Sequence, residues 1–131
     1  MDFFDFDRRV RDIPGLRTGT PDLRAASEVW PVPGFAAGPG MRLYLVRFGS
    51  LGNGRVQFLG VDGILLETDR FMETYSFSDG FLVFEVRGSG DLVLADGSDR
   101  TWLFDVSDRC LLDLRLGLFD YMLARLSVTD D

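Results

Sequence analysis

Carboxylates and arginines carry most of the reactive polarity of this sequence, which has 21 acidic residues, 14 basic residues that are all arginine, a single cysteine and no histidine. Without imidazole the chain lacks the commonest general base and metal ligand, and neither a Ser–His nor a thiol–imidazole pair can be assembled. Without lysine, Schiff-base chemistry and the lysine of a phosphate-binding P-loop are missing too. Cys110 has no partner for an internal disulfide and reads as a small buried hydrophobe. Gly49-Ser50-Leu51-Gly52-Asn53-Gly54 has the glycine content of a phosphate cradle, but not the GxGxxG spacing or a following GK[ST], so it reads as a connection. Asp96, Asp99 and Asp105 suggest a calcium cluster, yet the terminal Glu of an EF-hand is absent and turn-forming aspartates are the stronger reading. Paired carboxylates with Trp30 and Trp102 as sugar platforms would suit glycoside hydrolysis, although 21 acids always offer pairs and such aromatics usually fill cores.

A chain of 131 residues, 46% of them hydrophobic, is the size of one domain and can fill its own core. No apolar run approaches the ~20 residues needed to cross a bilayer. The opening MDFFDFDRRV lacks the basic and apolar regions of a signal peptide, so a cytoplasmic protein is expected. The net charge of −7 repels nucleic acid and anionic membrane and favours basic proteins. Residues 1–90 hold 12 acids and 10 arginines whereas 91–131 hold 9 and 4, which places most of the excess in the C-terminal third.

Elements must position these groups. The apolar runs Phe81–Val86, Asp91–Ala95 and Thr101–Val106 are separated by Gly88-Ser89-Gly90 and Asp96-Gly97-Ser98-Asp99, residues that tolerate the positive φ of tight turns, and predict an antiparallel meander. In the last run Trp102, Phe104 and Val106 alternate with Thr101, Leu103 and Asp105, while Phe81–Phe84 is apolar on both faces, as a central strand would be. Phe3, Phe6 and Val10 form the stripe of a short N-terminal helix. Thr20-Pro21-Asp22 predicts a second helix capped by Thr20, burying Leu23, Ala26, Val29 and Trp30 and ended by Pro31-Val32-Pro33-Gly34. Met41–Phe48 fits strand and helix equally well from local signals. Val56–Leu59 reads as a strand, Asp62-Gly63 as a turn and Ile64–Leu66 as a further strand, with Asp69–Tyr75 either a helical turn or an extended edge. Over Asp108–Leu126, Leu112, Leu116, Phe119, Met122, Leu123 and Leu126 recur at intervals of three and four, predicting an amphipathic helix capped by Asp108 or Asp113. Gly117 inside it would move its start to near Leu118, and residues 127–131 form an acidic tail. The expected fold is α+β: a single domain over 1–131 with one twisted antiparallel sheet of about four to six strands, N-terminal helices, and a C-terminal helix packed on the sheet.

With this order of elements and the segments Glu73–Phe84, Gly90–Asp96, Trp102–Asp105 and Leu118–Leu123, the chain resembles the SUKH superfamily, bacterial toxin-immunity proteins related to yeast cell-wall-synthesis regulators. The likeness runs over residues 38–126. Glu73-Thr74-Tyr75-Ser76-Phe77-Ser78-Asp79-Gly80-Phe81-Leu82-Val83-Phe84 is similar to the family segment in which a polar turn leads into an apolar strand ending in an acid. Gly90–Asp96 and Trp102-Leu103-Phe104-Asp105 resemble its next two strands, and Leu118-Phe119-Asp120-Tyr121-Met122-Leu123 its terminal helix. Met41, Tyr44, Leu45, Phe48 and Gly49 match the spacing of the family's helix before the glycine loop, which favours helix for that segment. The chain departs from the pattern at Leu118, where a Ser or Thr cap is usual, and at Gly38-Pro39-Gly40, where Leu-Pro is usual.

The resemblance implies binding rather than catalysis: a protein without a cofactor that blocks a cognate toxin, such as a nuclease or deaminase, by direct contact. The acid surplus fits a basic toxin polypeptide, with neither nucleic acid nor membrane as a direct partner. Asp62, Glu67, Asp69, Glu73, Asp79, Asp96 and Asp99 are the candidate contact residues. The alternatives are a small enzyme using carboxylates alone on a carbohydrate or nucleotide, and a regulatory or scaffold module marked by an exposed apolar patch. Oligomeric state is left open by the sequence.

Overall fold

A computed structural model describes residues 1–27, 37–76 and 80–128. Helix α1 (Phe3–Val10) forms where the stripe of Phe3, Phe6 and Val10 predicts it. The Asp2 carboxylate accepts the Asp5 N–H at 2.8 Å to cap it, and Arg8 and Arg9 complement the dipole in its last turn. Phe6 stacks on Phe119 with ring centres 4.8 Å apart, which joins the two ends of the chain.

The second predicted helix is a single 3-10 turn, Leu23–Ala26, within the described residues. Its cap is Asp22 rather than Thr20, because the Asp22 carboxylate takes both the Arg24 N–H and the Arg24 guanidinium. Arg24 in turn holds the Asp22 carboxyl below the usual range. Ala25 is the buried residue here and Leu23 is 75% exposed, so the expected stripe is not presented; Val29 and Trp30 lie outside the described residues.

Helix α2 (Pro39–Phe48) settles the ambiguous segment as helical, with Met41, Tyr44, Leu45 and Phe48 buried. Proline occupies its first turn and Gly38 offers no side-chain cap. The Asp99 carboxylate supplies that cap from the meander, accepting the N–H of Gly40 at 2.7 Å and of Met41 at 3.0 Å. This close approach explains the glycine at 40: a Cβ there would stand 3.0 Å from Asp99 Oδ2. The helix ends at Gly49, where φ is +74°.

Three two-residue strands, β1 (Arg17–Thr18), β2 (Leu51–Gly52) and β3 (Gln57–Phe58), form a small antiparallel sheet in the order β1-β2-β3. The glycine-rich connection thus contains a strand. The expected Asp62-Gly63 turn and Ile64–Leu66 strand are instead the start of α3 (Val61–Tyr75). Val61, Ile64, Thr68 and Phe71 are buried at helical spacing, and this long-range periodicity outweighs the turn propensity of Asp-Gly.

Four strands, β4 (Phe81–Val86), β5 (Leu92–Asp96), β6 (Arg100–Asp105) and β7 (Cys110–Gly117), make the meander in the order β4-β5-β6-β7, all antiparallel. β4 is therefore an edge strand, not the expected central one. It is apolar on both faces because the sheet is covered on both. Leu82, Phe84, Val93 and Ala95 join the main core with α1, α2 and the C-terminal helix α4 (Leu118–Ser127). Val83, Leu94 and Phe104 pack against Phe71, Met72 and Tyr75 of α3. The outer side of β4 is also engaged, since the Leu59 N–H donates to Phe84 O at 2.8 Å.

Residues 110–117 correct the expected long C-terminal helix: they are strand, with Leu103 opposite Leu112 and Phe104 opposite Leu111. The intervals of Leu112 and Leu116 mimic a helical stripe, but both side chains are exposed and the pairing with β6 prevails. Gly117 marks the switch, and α4 begins at Leu118 without a side-chain cap from Asp108 or Asp113.

Candidate functional site

Two charged regions among the described residues are candidates, one facing outward and one inward. The first is the exposed face of α3. Opposite its buried side, Asp62, Leu66, Asp69 and Glu73 follow one another at intervals of four, three and four, and so share one stripe. All are exposed, and Leu66 shows 52% of its surface to solvent amid the acids. Asp62 is paired with Arg24 at 3.0 Å. Glu67 lies off the stripe, half-buried, and meets Arg70 at 3.3 Å. Asp69 and Glu73 have no ion-pair partner among the described residues. Four of the seven predicted contact residues are thus brought together on one helix.

The others are placed elsewhere. Asp96 turns inward on its own hairpin, accepting N–H groups from Ser98 and Arg100 and the Trp102 indole N–H at 3.1 Å. That bond and the packing of Trp102 beside Phe81 make the tryptophan a structural side chain. Asp99 is the cap of α2 described above; burial pushes its carboxyl above the usual range against the opposing effect of the two backbone N–H donors. Asp79 lies outside the described residues.

The inward region was not anticipated from sequence. The register of β4 against β5 shifts between Val83 and Glu85, a bulge that brings Glu85 onto the face covered by α4. Only 2% exposed, Glu85 accepts the Tyr121 hydroxyl on one oxygen and Arg125 Nη2, at 2.7 Å, on the other. The Tyr121 oxygen accepts in turn from Arg87 Nη2 at 3.0 Å. Burial, reinforced by Glu85, pushes the phenol up to about 12, so it stays a proton donor near neutral pH. The Nε atoms of Arg87 and Arg125 are buried without a hydrogen-bond partner. Two hollows open beside this network. One, of about 260 Å³, is lined by Arg87, Tyr121 and Arg125 with Leu114, Leu116, Ala124 and Val128. The other, of about 280 Å³, is lined by Asn53, Arg55, Val56, Arg125 and Val128. In this arrangement the hydroxyl and the carboxylate are committed to each other, and the two guanidinium groups lie in the wall of the first hollow. The sequence signal was Glu85 itself, a lone charge in the run FLVFEV that demands a buried partner.

Among the described residues no group of three or more Cys, Asp or Glu side chains comes together in a way that could hold a metal ion, and no helix is long and apolar enough to cross a membrane. No model of a known family, no curated protein and no solved structure matches the chain.

Proposed function

We propose that this protein is a cytoplasmic immunity-type binding protein that neutralises a cognate toxin polypeptide, a nuclease or deaminase, by contact rather than by catalysis. The observation that carries this reading is the α3 stripe, where Leu66 stands exposed between Asp62, Asp69 and Glu73. An apolar knob whose rim is mainly acidic, with Arg24 held on Asp62 and Arg70 one turn along, has the layout of an interface centre, with burial for affinity and the unpaired Asp69 and Glu73 for encounter. The rim selects a basic partner. The resemblance of the meander and closing helix to SUKH proteins agrees with it. The carboxylate-enzyme alternative has less support, because the buried Glu85 faces Arg125 and Tyr121 rather than a second acid. The test is co-expression with the toxin domain encoded beside this gene. Wild-type chain restores growth and co-purifies with the toxin, whereas the D69K/E73K variant, folded to the same extent, does neither. Failure of the wild type to bind overturns the function, and full protection by D69K/E73K overturns the surface.

A further inference from the structure

Away from α3, a hollow opens beside α4. Arg87 has no carboxylate partner among the described residues; its side chain donates to the Tyr121 hydroxyl, and its Nε is buried and unsatisfied. Both oxygens of Glu85 are already taken, by Tyr121 and Arg125. Among the described residues the wall of the 260 Å³ hollow therefore carries two guanidinium groups against one sealed carboxylate, and none of the described acids lines either this hollow or its 280 Å³ neighbour. In a chain of net charge −7 such a locally positive wall is a departure that a ligand of one negative charge would complete. The rest of the lining is aliphatic: Leu114 and Leu116 from β7, Ala124 from α4, and Val128.

We propose that this hollow binds a small monocarboxylate with an aliphatic tail, the carboxylate against Arg87 and Arg125 and the tail along Leu114, Leu116 and Ala124. A planar carboxylate matches the guanidinium fork, and a single excess charge with apolar walls disfavours a hydrated dianion such as phosphate. At ~30 Å³ per water-sized group the space takes about nine such groups, the size of an acid of about six carbons.

Isothermal titration of the whole chain with hexanoate, acetate, hexanol and inorganic phosphate tests this. Hexanoate is expected to bind at least tenfold more tightly than each of the other three. The R87Q variant loses the anion contact, and A124L fills the hollow from the exposed side of α4 without touching the core; each is expected to weaken hexanoate at least tenfold while the unfolding midpoint of A124L stays at the wild-type value. Hexanoate binding no tighter than hexanol, phosphate binding as tightly as hexanoate, or unchanged affinity in A124L would each overturn the site. None of these results bears on the toxin-binding test, which reads a different face.

Discussion

The α3 stripe and the Glu85 network are both built on carboxylates, and they use them in opposite ways. Asp69 and Glu73 project into solvent with no ion-pair partner among the described residues, so folding neither needs them nor is strained by them. Glu85 is withdrawn from water and held by Tyr121 and Arg125, so folding depends on it and a ligand cannot reach it directly. Acids that stabilise nothing in the fold are the ones free to meet a partner. The sharpest way to break this contrast is Glu85→Ala, which leaves Arg125 facing a carboxylate-free interior and the Tyr121 hydroxyl without its acceptor. Losing one partner of a fully buried pair costs about 3–5 kcal/mol, and with Arg125 still 30% exposed the loss here is expected nearer about 2 kcal/mol, read as a drop in the urea midpoint. A loss below about 1 kcal/mol would mean that water reaches the network and that the two regions do not differ in kind.

Asp99 sharpens the comparison, since its sequence setting groups it with the outward acids and the structure gives it an inward task. Asp99→Ala removes the cap of α2 and is expected to cost about 1 kcal/mol. The pH dependence follows from burial, which raises the folded pKa above the ordinary 3.8. A carboxyl with a raised folded pKa holds its proton more tightly in the native state. Its contribution to stability is therefore fully present below 3.8 and is lost as the pH rises through the folded value. The stability gap between wild type and Asp99→Ala should widen as the pH falls through this window. A gap that narrows would show that the two backbone N–H donors outweigh burial.

These contrasts also explain what could be read from the chain. The meander was legible because Gly88-Ser89-Gly90 and Asp96-Gly97-Ser98-Asp99 punctuate it and the strands between them are continuous apolar runs. The class of the fold followed from that, and α1 from the stripe of Phe3, Phe6 and Val10. What misled was local chemistry without its tertiary setting. Asp62-Gly63 has the form of a hairpin turn but sits in the first turn of α3, because Val61, Ile64, Thr68 and Phe71 need one buried face. Leu112 and Leu116 have helical spacing yet lie on β7, because β6 offers a ladder that an isolated helix could not match. The α3 stripe was half visible as acids and became a surface only once those residues were helical. The Glu85 network stayed hidden because a bulge sets which way that side chain points, and nothing in FLVFEV marks a bulge.

The smallest effect on stability should accompany the largest effect on function. Neutralising the outer pair, Asp69→Asn with Glu73→Asn, removes no contact within the described structure, so thermal unfolding is expected to move by no more than about 0.5 kcal/mol. The association rate with a basic toxin domain should nevertheless fall by about tenfold at low salt, because these charges act over a Debye length before contact. Raising ionic strength should slow the wild type toward the variant, leaving the two alike near 1 M salt, where screening shortens to about 3 Å. Leu66→Ala separates the other half of the design. It alters no charge, so the association rate should hold while dissociation quickens, by about 2 kcal/mol if Leu66 is the anchor of the interface. An association rate that ignores salt, or a Leu66→Ala variant that dissociates like wild type, would move the contact surface away from α3 and leave its acids as ordinary solubilising charge.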